Sequence, residues 1–174
     1  MKTIGWVIIS CLVLMAYSKI NLSYGEEVEV VDDIQLTWLA KNVYFEARNQ
    51  GVAGQLAVAM VTLNRVSDKR YPNTIREVVT QGLTRASWLS GEQVPIKNKC
   101  QFSWYCDGKA DTIADWKTFG KIKKLLLTYM KNRSTIIDIT EGATHYHADY
   151  VMPDWAATKT KTIEIADHIF YRWE

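Results

Sequence analysis

From Val52 to Asn64 the chain carries no charged residue. A helix with only apolar and small neutral side chains around its circumference is one that the rest of the fold covers on most sides. Val52, Leu56, Ala59, Met60 and Leu63 recur at helical spacing and predict a helix from about Val52 to Val66 with that buried stripe. Ala53, Gly54, Ala57 and Ala59 keep its surface low enough for another element to approach closely.

The flanking segments supply that cover. Asp32, followed three places later by Gln35, is a capping-box signature for a helix running to about Arg48. Its stripe is Leu36, Leu39, Ala40, Val43 and Ala47. Asn49-Gln50-Gly51 is its stop, with Gly51 expected in the left-handed conformation that ends helices. Thr74 with Glu77 marks a short third helix through Thr80. The span from Gln81 to Asp111 reads as long and irregular, and loops of that length in compact domains tend to carry function. A further helix is predicted over about Thr112 to Asn132, with Trp116, Phe119, Leu126 and Met130 on one side. The remainder reads as strands. Ile137, Ile139 and Ala143 to Ala148 are expected to pair with one alternating run from Ile163 to Trp173. Helices followed by a small sheet give an α+β domain, helix-dominated, with a small C-terminal antiparallel sheet.

A chain of 174 residues suits one domain. Lys2, an apolar stretch from Ile4 to Tyr17, and the small residues Ser23 and Gly25 are the parts of a secretory signal. The expected organisation is a signal over residues 1–25, a linker over 26–32 and a domain over 33–174, exported to the periplasm, cell wall or exterior. An uncleaved signal would instead anchor it to the membrane. Without Lys2 and Lys19 the 21 basic residues fall to 19, equal to the 19 acidic ones. A neutral balance gives no electrostatic case for nucleic acid. In an oxidising compartment Cys100 and Cys106 either pair across a short loop or remain buried thiols.

Glu46 is the sharpest chemical candidate. It lies at the edge of the buried stripe beside Tyr44 and Phe45, where loss of water favours the protonated carboxyl that a general acid needs. The plainer reading is an ion pair with Arg48 or Arg65 that ties two helices together. His145 and His147 share one face of a strand, and His168 on a neighbouring strand could complete a zinc site for an amidase or peptidase. Trp104, Tyr105 and Trp155 suit either sugar rings or the core beneath loops. Asp107, Asp149 and Asp154 are the acids near those aromatics, and spacing singles out none of them as a second carboxylate.

YFEARNQGVAGQLAVAMVTLNRV from Tyr44 to Val66, CQFSW from Cys100, ATHYHADYVMPDWA from Ala143 and HIFYRW from His168 together resemble the cell wall hydrolases of the spore cortex-lytic, SleB-type, family. The resemblance spans nearly all of the chain after the signal. It implies a fold like goose-type lysozyme and soluble lytic transglycosylases, and Glu46 as the catalytic acid for the bond between N-acetylmuramic acid and N-acetylglucosamine. It also implies a lytic transglycosylase route to 1,6-anhydro ends over hydrolysis by water, with no cofactor and no metal. The candidate contacts to peptidoglycan glycan strands are Tyr44, Gln55, Phe102, Trp104, His145, Tyr146, His147 and Trp155. A non-catalytic glycan-binding module using Trp104, Tyr146 and Trp155 is a further alternative. The family has glycine directly after its E-A-R segment where this chain has Asn49, so the glycine turn is expected to shift to Gly51. Wall affinity is expected from the cleft of a monomer, or from an accessory wall-binding or regulatory protein.

Overall fold

In the computed structural model the described residues are 31–174. The expected signal over 1–25 and most of the expected linker lie outside them. Among the described residues no helix is long and apolar enough to cross a membrane.

Asp32 opens α1, Asp33–Ala47, by accepting from the backbone N–H groups of Ile34 and Gln35. Gln35 does not return to Asp32 as a capping box would require. Its carbonyl oxygen accepts from Arg76 N at 3.0 Å, which ties α1 to the first turn of α3, Ile75–Thr80. Thr74 caps α3 as expected, accepting from Glu77 N and donating to the Glu77 carboxylate.

Between α1 and α2, Val52–Ser67, Gly51 is not left-handed. Its φ of −67° and ψ of 173° are extended, and it serves as the N-cap of α2, not as the end of α1. The chain therefore enters the second helix without any positive-φ residue at Asn49 or Gly51.

α2 is the centre of the fold. Every residue from Ala57 to Leu63 is buried, whereas Val52 at its first turn is exposed. On one side Val58, Met60 and Leu63 join Leu39 and Val43 of α1, Val78 of α3, and Ile122 and Leu126 of α4, Trp116–Lys131, in the main core. On the other, Ala57 and Val61 meet Ala143 and Phe170 under the C-terminal sheet. Two cores on opposite sides of one helix account for its lack of charge. In α4 the buried face is Phe119, Ile122, Leu126 and Tyr129, while Trp116 stands exposed.

The stretch expected to be irregular holds a hairpin, β1 Gly82–Ala86 antiparallel to β2 Gln93–Cys100. Ser87 organises its turn: its backbone pairs with Glu92 and Gly91, and its hydroxyl accepts from Leu89 and Ser90. At the base a Cβ on Gly82 would meet Cys100 Sγ at 2.8 Å, so only glycine lets the strands close there. Cys100 is disulfide-bonded to Cys106, six residues on, in the 3-10 turn Ser103–Cys106. Closing so short a loop restricts the unfolded chain by about 2 kcal/mol. Reduction is expected to lower the unfolding free energy by about that amount, measured by denaturant titration with and without reductant.

The C-terminal sheet has the order β3-β5-β4 and is antiparallel throughout. β3 is His145–Ala148, β4 Thr160–Ile165 and β5 His168–Arg172. The expected single run from Ile163 to Trp173 is thus two strands, reversed at Ala166 (φ 52°) and Asp167. Gly54 makes room for that reversal, since a Cβ there would lie 3.3 Å from the Ala166 Cβ. Gln50 Nε2 then donates to Asp167 Oδ2 at 2.7 Å. Ile137 and Ile139 are in no strand, because Asp138 between them accepts from Thr140 and Gly142 and curls the segment into a turn. Asn64 of α2 holds that turn through Asp138 Oδ2 and Ala143 O.

Candidate active site

A cleft of about 610 Å³ opens where the ends of α1 and α2, the 3-10 turn and the C-terminal sheet converge. Glu46 comes to it from the last turn of α1 and Arg65 from the end of α2. Phe102 and Trp104 come from the turn secured by the disulfide, and Tyr146 and His168 from the sheet.

Glu46 is set by both of its neighbouring elements. β3 alternates, so Tyr146 and its partner Phe170 on β5 face α2, and the Tyr146 hydroxyl donates to Glu46 Oε2 at 3.0 Å. Burial pushes the Glu46 carboxyl above its ordinary value, opposed by the Tyr146 hydrogen bond and the charge of Arg65. Burial, with the adjacent carboxylate, also pushes the Tyr146 hydroxyl well above its ordinary range, so it remains a donor. The result is a shielded carboxyl whose neutral form is favoured by burial and which opens onto a cleft, the kind of environment a general acid requires.

The ion pair expected as the plainer alternative does not form. Glu46 pairs with neither arginine among the described residues. Arg48 reaches back to Tyr44 O at 3.5 Å and lies 5.0 Å over the Tyr44 ring. Arg65 Nε donates to Thr144 O at 2.7 Å, and its guanidinium lies over Phe102 and Tyr71.

Beneath the cleft, Trp104 is buried and stacked on Phe45 at 4.5 Å between centroids. Its indole N–H donates to Asn42 Oδ1 at 2.9 Å, and Asn42 Nδ2 donates to Thr62 Oγ1 at 3.0 Å. Trp104 is therefore core and cleft floor together.

The other candidates divide. Phe102, Trp104, Tyr146 and His147 border the cleft with Glu46, whereas Tyr44, Gln55, His145 and Trp155 do not line it. The Tyr44 hydroxyl accepts from Asp115 N at 3.0 Å, at the start of α4. Gln55 donates to Gln50 O and braces the α1–α2 turn. Trp155 packs on His145, His147 and Tyr171, across the sheet from Tyr146. His147 Nδ1 contacts the Ala148 carbonyl at 2.8 Å and so carries the proton, leaving Nε2 to accept from the Tyr171 hydroxyl at 3.0 Å.

Strand register also separates the three histidines. His168 pairs with Ala148 and shares its face with Tyr146 and Phe170, while His145 and His147 occupy the opposite face. The rings do not converge as a zinc site requires, and no cluster of three ligating side chains occurs among the described residues. Burial and the nearby Arg65, Lys159 and Arg70 lower His145 to about 4, so its ring is neutral near pH 7.

Of the three expected loop acids, Asp107 lines the cleft and Asp149 and Asp154 do not. Asp111, unremarked in sequence, lines it too, with its carboxyl raised by burial and by Asp107. Arg65 is a further cleft group that the candidate contacts do not include. Its placement at the end of an otherwise uncharged run was the available signal.

The cell wall hydrolase family model matches residues 49–171, beginning three residues after Glu46. Over 48 residues, 28% of this chain and 18% of the relative, the sequence is 48% identical to the spore cortex-lytic enzyme of Bacillus cereus. Over 61 residues, 35% of this chain and 19% of the relative, it is 38% identical to the spore cortex-lytic enzyme of Bacillus subtilis. The chain thus spans less than a fifth of the length of these curated relatives. Two solved structures are similar over most of its length. The catalytic domain of the Bacillus cereus SleB protein matches with a TM-score of 0.58 at 26% identity, over 81% of this chain and 91% of that one. The catalytic domain of the germination-specific lytic transglycosylase SleB from Bacillus anthracis matches with a TM-score of 0.60 at 26% identity, over 83% of this chain and 98% of that one.

Proposed function

The chain belongs to the cell wall hydrolase family, and from that premise we propose that it cuts peptidoglycan between N-acetylmuramic acid and N-acetylglucosamine, with Glu46 as general acid and base. The observation that carries this reading is the part-buried Glu46 carboxyl, held by the Tyr146 hydroxyl and opening onto a cleft within the size range of small-molecule and sugar sites.

Protonated Glu46 gives its proton to the glycosidic oxygen as the bond from C1 breaks. The muramic 6-hydroxyl then attacks C1, its proton passes to the Glu46 carboxylate, and a 1,6-anhydro end results. The acid is restored without water. The likeness to a solved domain described as a lytic transglycosylase supports this route. Hydrolysis is the second reading, favoured by Asp107 and Asp111 in the same cleft, since an inverting or retaining glycosidase uses a second carboxylate. Export through the N-terminal segment accords with a polymer that lies outside the membrane.

Borohydride treatment of fragments released from purified peptidoglycan distinguishes these chemistries. Transglycosylation leaves new ends that take up no hydride. Reducible ends would replace it with hydrolysis, and newly freed amino groups would contradict a glycosidase altogether.

A further inference from the structure

We propose that Arg65 is a positioning residue whose free guanidinium nitrogen receives the Glu46 carboxylate once Glu46 has given up its proton. The inference rests on the reading of Glu46 as the acid and adds the group that stabilises its ionised form.

Arg65 is only 4% exposed. Its Nε is fixed on Thr144 O, and its guanidinium lies 4.9 Å from the Phe102 ring centroid and 5.4 Å from that of Tyr71. Nη1 has no hydrogen-bond partner and is shut off from solvent. A buried cationic donor without an acceptor is costly, so its persistence needs an explanation. Solvent does not reach Nη1, so an acceptor supplied by a neighbouring side chain is the direct way to satisfy it.

Glu46 meets that need. A carboxylate has about four lone-pair sites, and Tyr146 uses one of them here. The two residues border the same cleft and make no ion pair in the resting structure, so the contact is left to form when Glu46 ionises. The groups that could compete are otherwise engaged. Arg48 is turned onto Tyr44, and Lys109 lies 3.6 Å from Asp107. Burial keeps the His168 ring neutral, while Asp107 and Asp111 carry the wrong sign to stabilise a carboxylate.

When the glycosidic oxygen takes the proton, the O–H electron pair stays on Glu46. Arg65 and Tyr146 then share that negative charge until the 6-hydroxyl returns a proton. Arg65 thereby makes Glu46 a stronger acid than burial alone would allow.

The test is the pH dependence of turnover on soluble peptidoglycan fragments for the parent, Arg65→Met and Arg65→Lys, with Glu46→Gln beside them. Activity falls at alkaline pH as Glu46 loses its proton. Without the neighbouring cation that proton is held more tightly, so in Arg65→Met the alkaline limb moves to higher pH. Its kcat falls about tenfold to a hundredfold with KM little changed. Arg65→Lys keeps a cation, so it moves the limb back toward the parent. It also serves as the folded variant if Arg65→Met does not fold, its limb then expected within about half a unit of the parent. A fall in kcat with the limb unmoved, or a rise in KM alone, would overturn the proposal in favour of a structural or sugar-binding Arg65. Full activity in Glu46→Gln would instead remove the reading on which it rests.

Discussion

Glu46→Gln is expected to lower the rate of glycan cleavage by about a hundredfold to ten-thousandfold, the usual contribution of a positioned general acid. The same substitution is expected to raise the melting temperature at pH 7. Burial lifts the Glu46 carboxyl above the 4.5 it has in the unfolded chain. The native state therefore holds a proton that the unfolded state releases, and the parent loses stability as pH rises through that interval. Glutamine carries no such penalty. The stability gap between variant and parent should thus be largest near neutrality and close below about pH 4.5, where both states of the parent are protonated. Calorimetry across pH 4 to 8 checks this. A variant that is both inactive and less stable at pH 7 would place Glu46 among residues that merely hold the helices together.

The second large effect is on stability. Asn42 is wholly buried and joins α1, α2 and the cleft floor through one side chain, accepting from Trp104 and donating to Thr62. Asn42→Leu fits the volume but leaves the Trp104 indole N–H without an acceptor, at a cost of about 2–4 kcal/mol for the lost bonds and the stranded donor. Thr62 is less affected, because its hydroxyl already donates to Val58 O. Trp104 also lies under the cleft, so activity should fall with stability; urea denaturation together with an activity assay measures both. A cost below about 1 kcal/mol would show that water or a shifted Trp104 satisfies the bond.

What the sequence made legible was whatever burial writes into a pattern. The uncharged Val52–Asn64 run located the central helix because two cores flank it. The α1 stripe located Glu46 at the edge of the buried face, and alternation through Tyr146 fixed which residues share a face of β3. The hairpin Gly82–Cys100 is not legible in the sequence because its first strand is exposed throughout and its second has no fully buried residue, so neither shows an apolar face. The reversal at Ala166-Asp167 was hidden for the opposite reason. The alternation runs through it, and neither residue is the glycine or asparagine that usually marks a two-residue turn. Trp155 was a reasonable candidate for sugar contact, but only the register shows it behind the sheet, packed on His147 and Tyr171. In the sequence Arg65 stands out only as one of two possible ion-pair partners of Glu46, beside Arg48. That its free nitrogen faces no acceptor is a property of three-dimensional packing, and no sequence pattern encodes it.

Whether Glu46 acts as the acid in a glycan-cutting cleft is tested most directly by one paired digestion. Purified peptidoglycan is incubated with the parent and with Glu46→Gln, each verified as folded, and the soluble fragments are read by mass spectrometry. Anhydro-muramic ends are expected from the parent and none from the variant. Equal yields from the two proteins, or fragments whose glycan links are intact and whose peptide or amide bonds are cut, would contradict that role for Glu46.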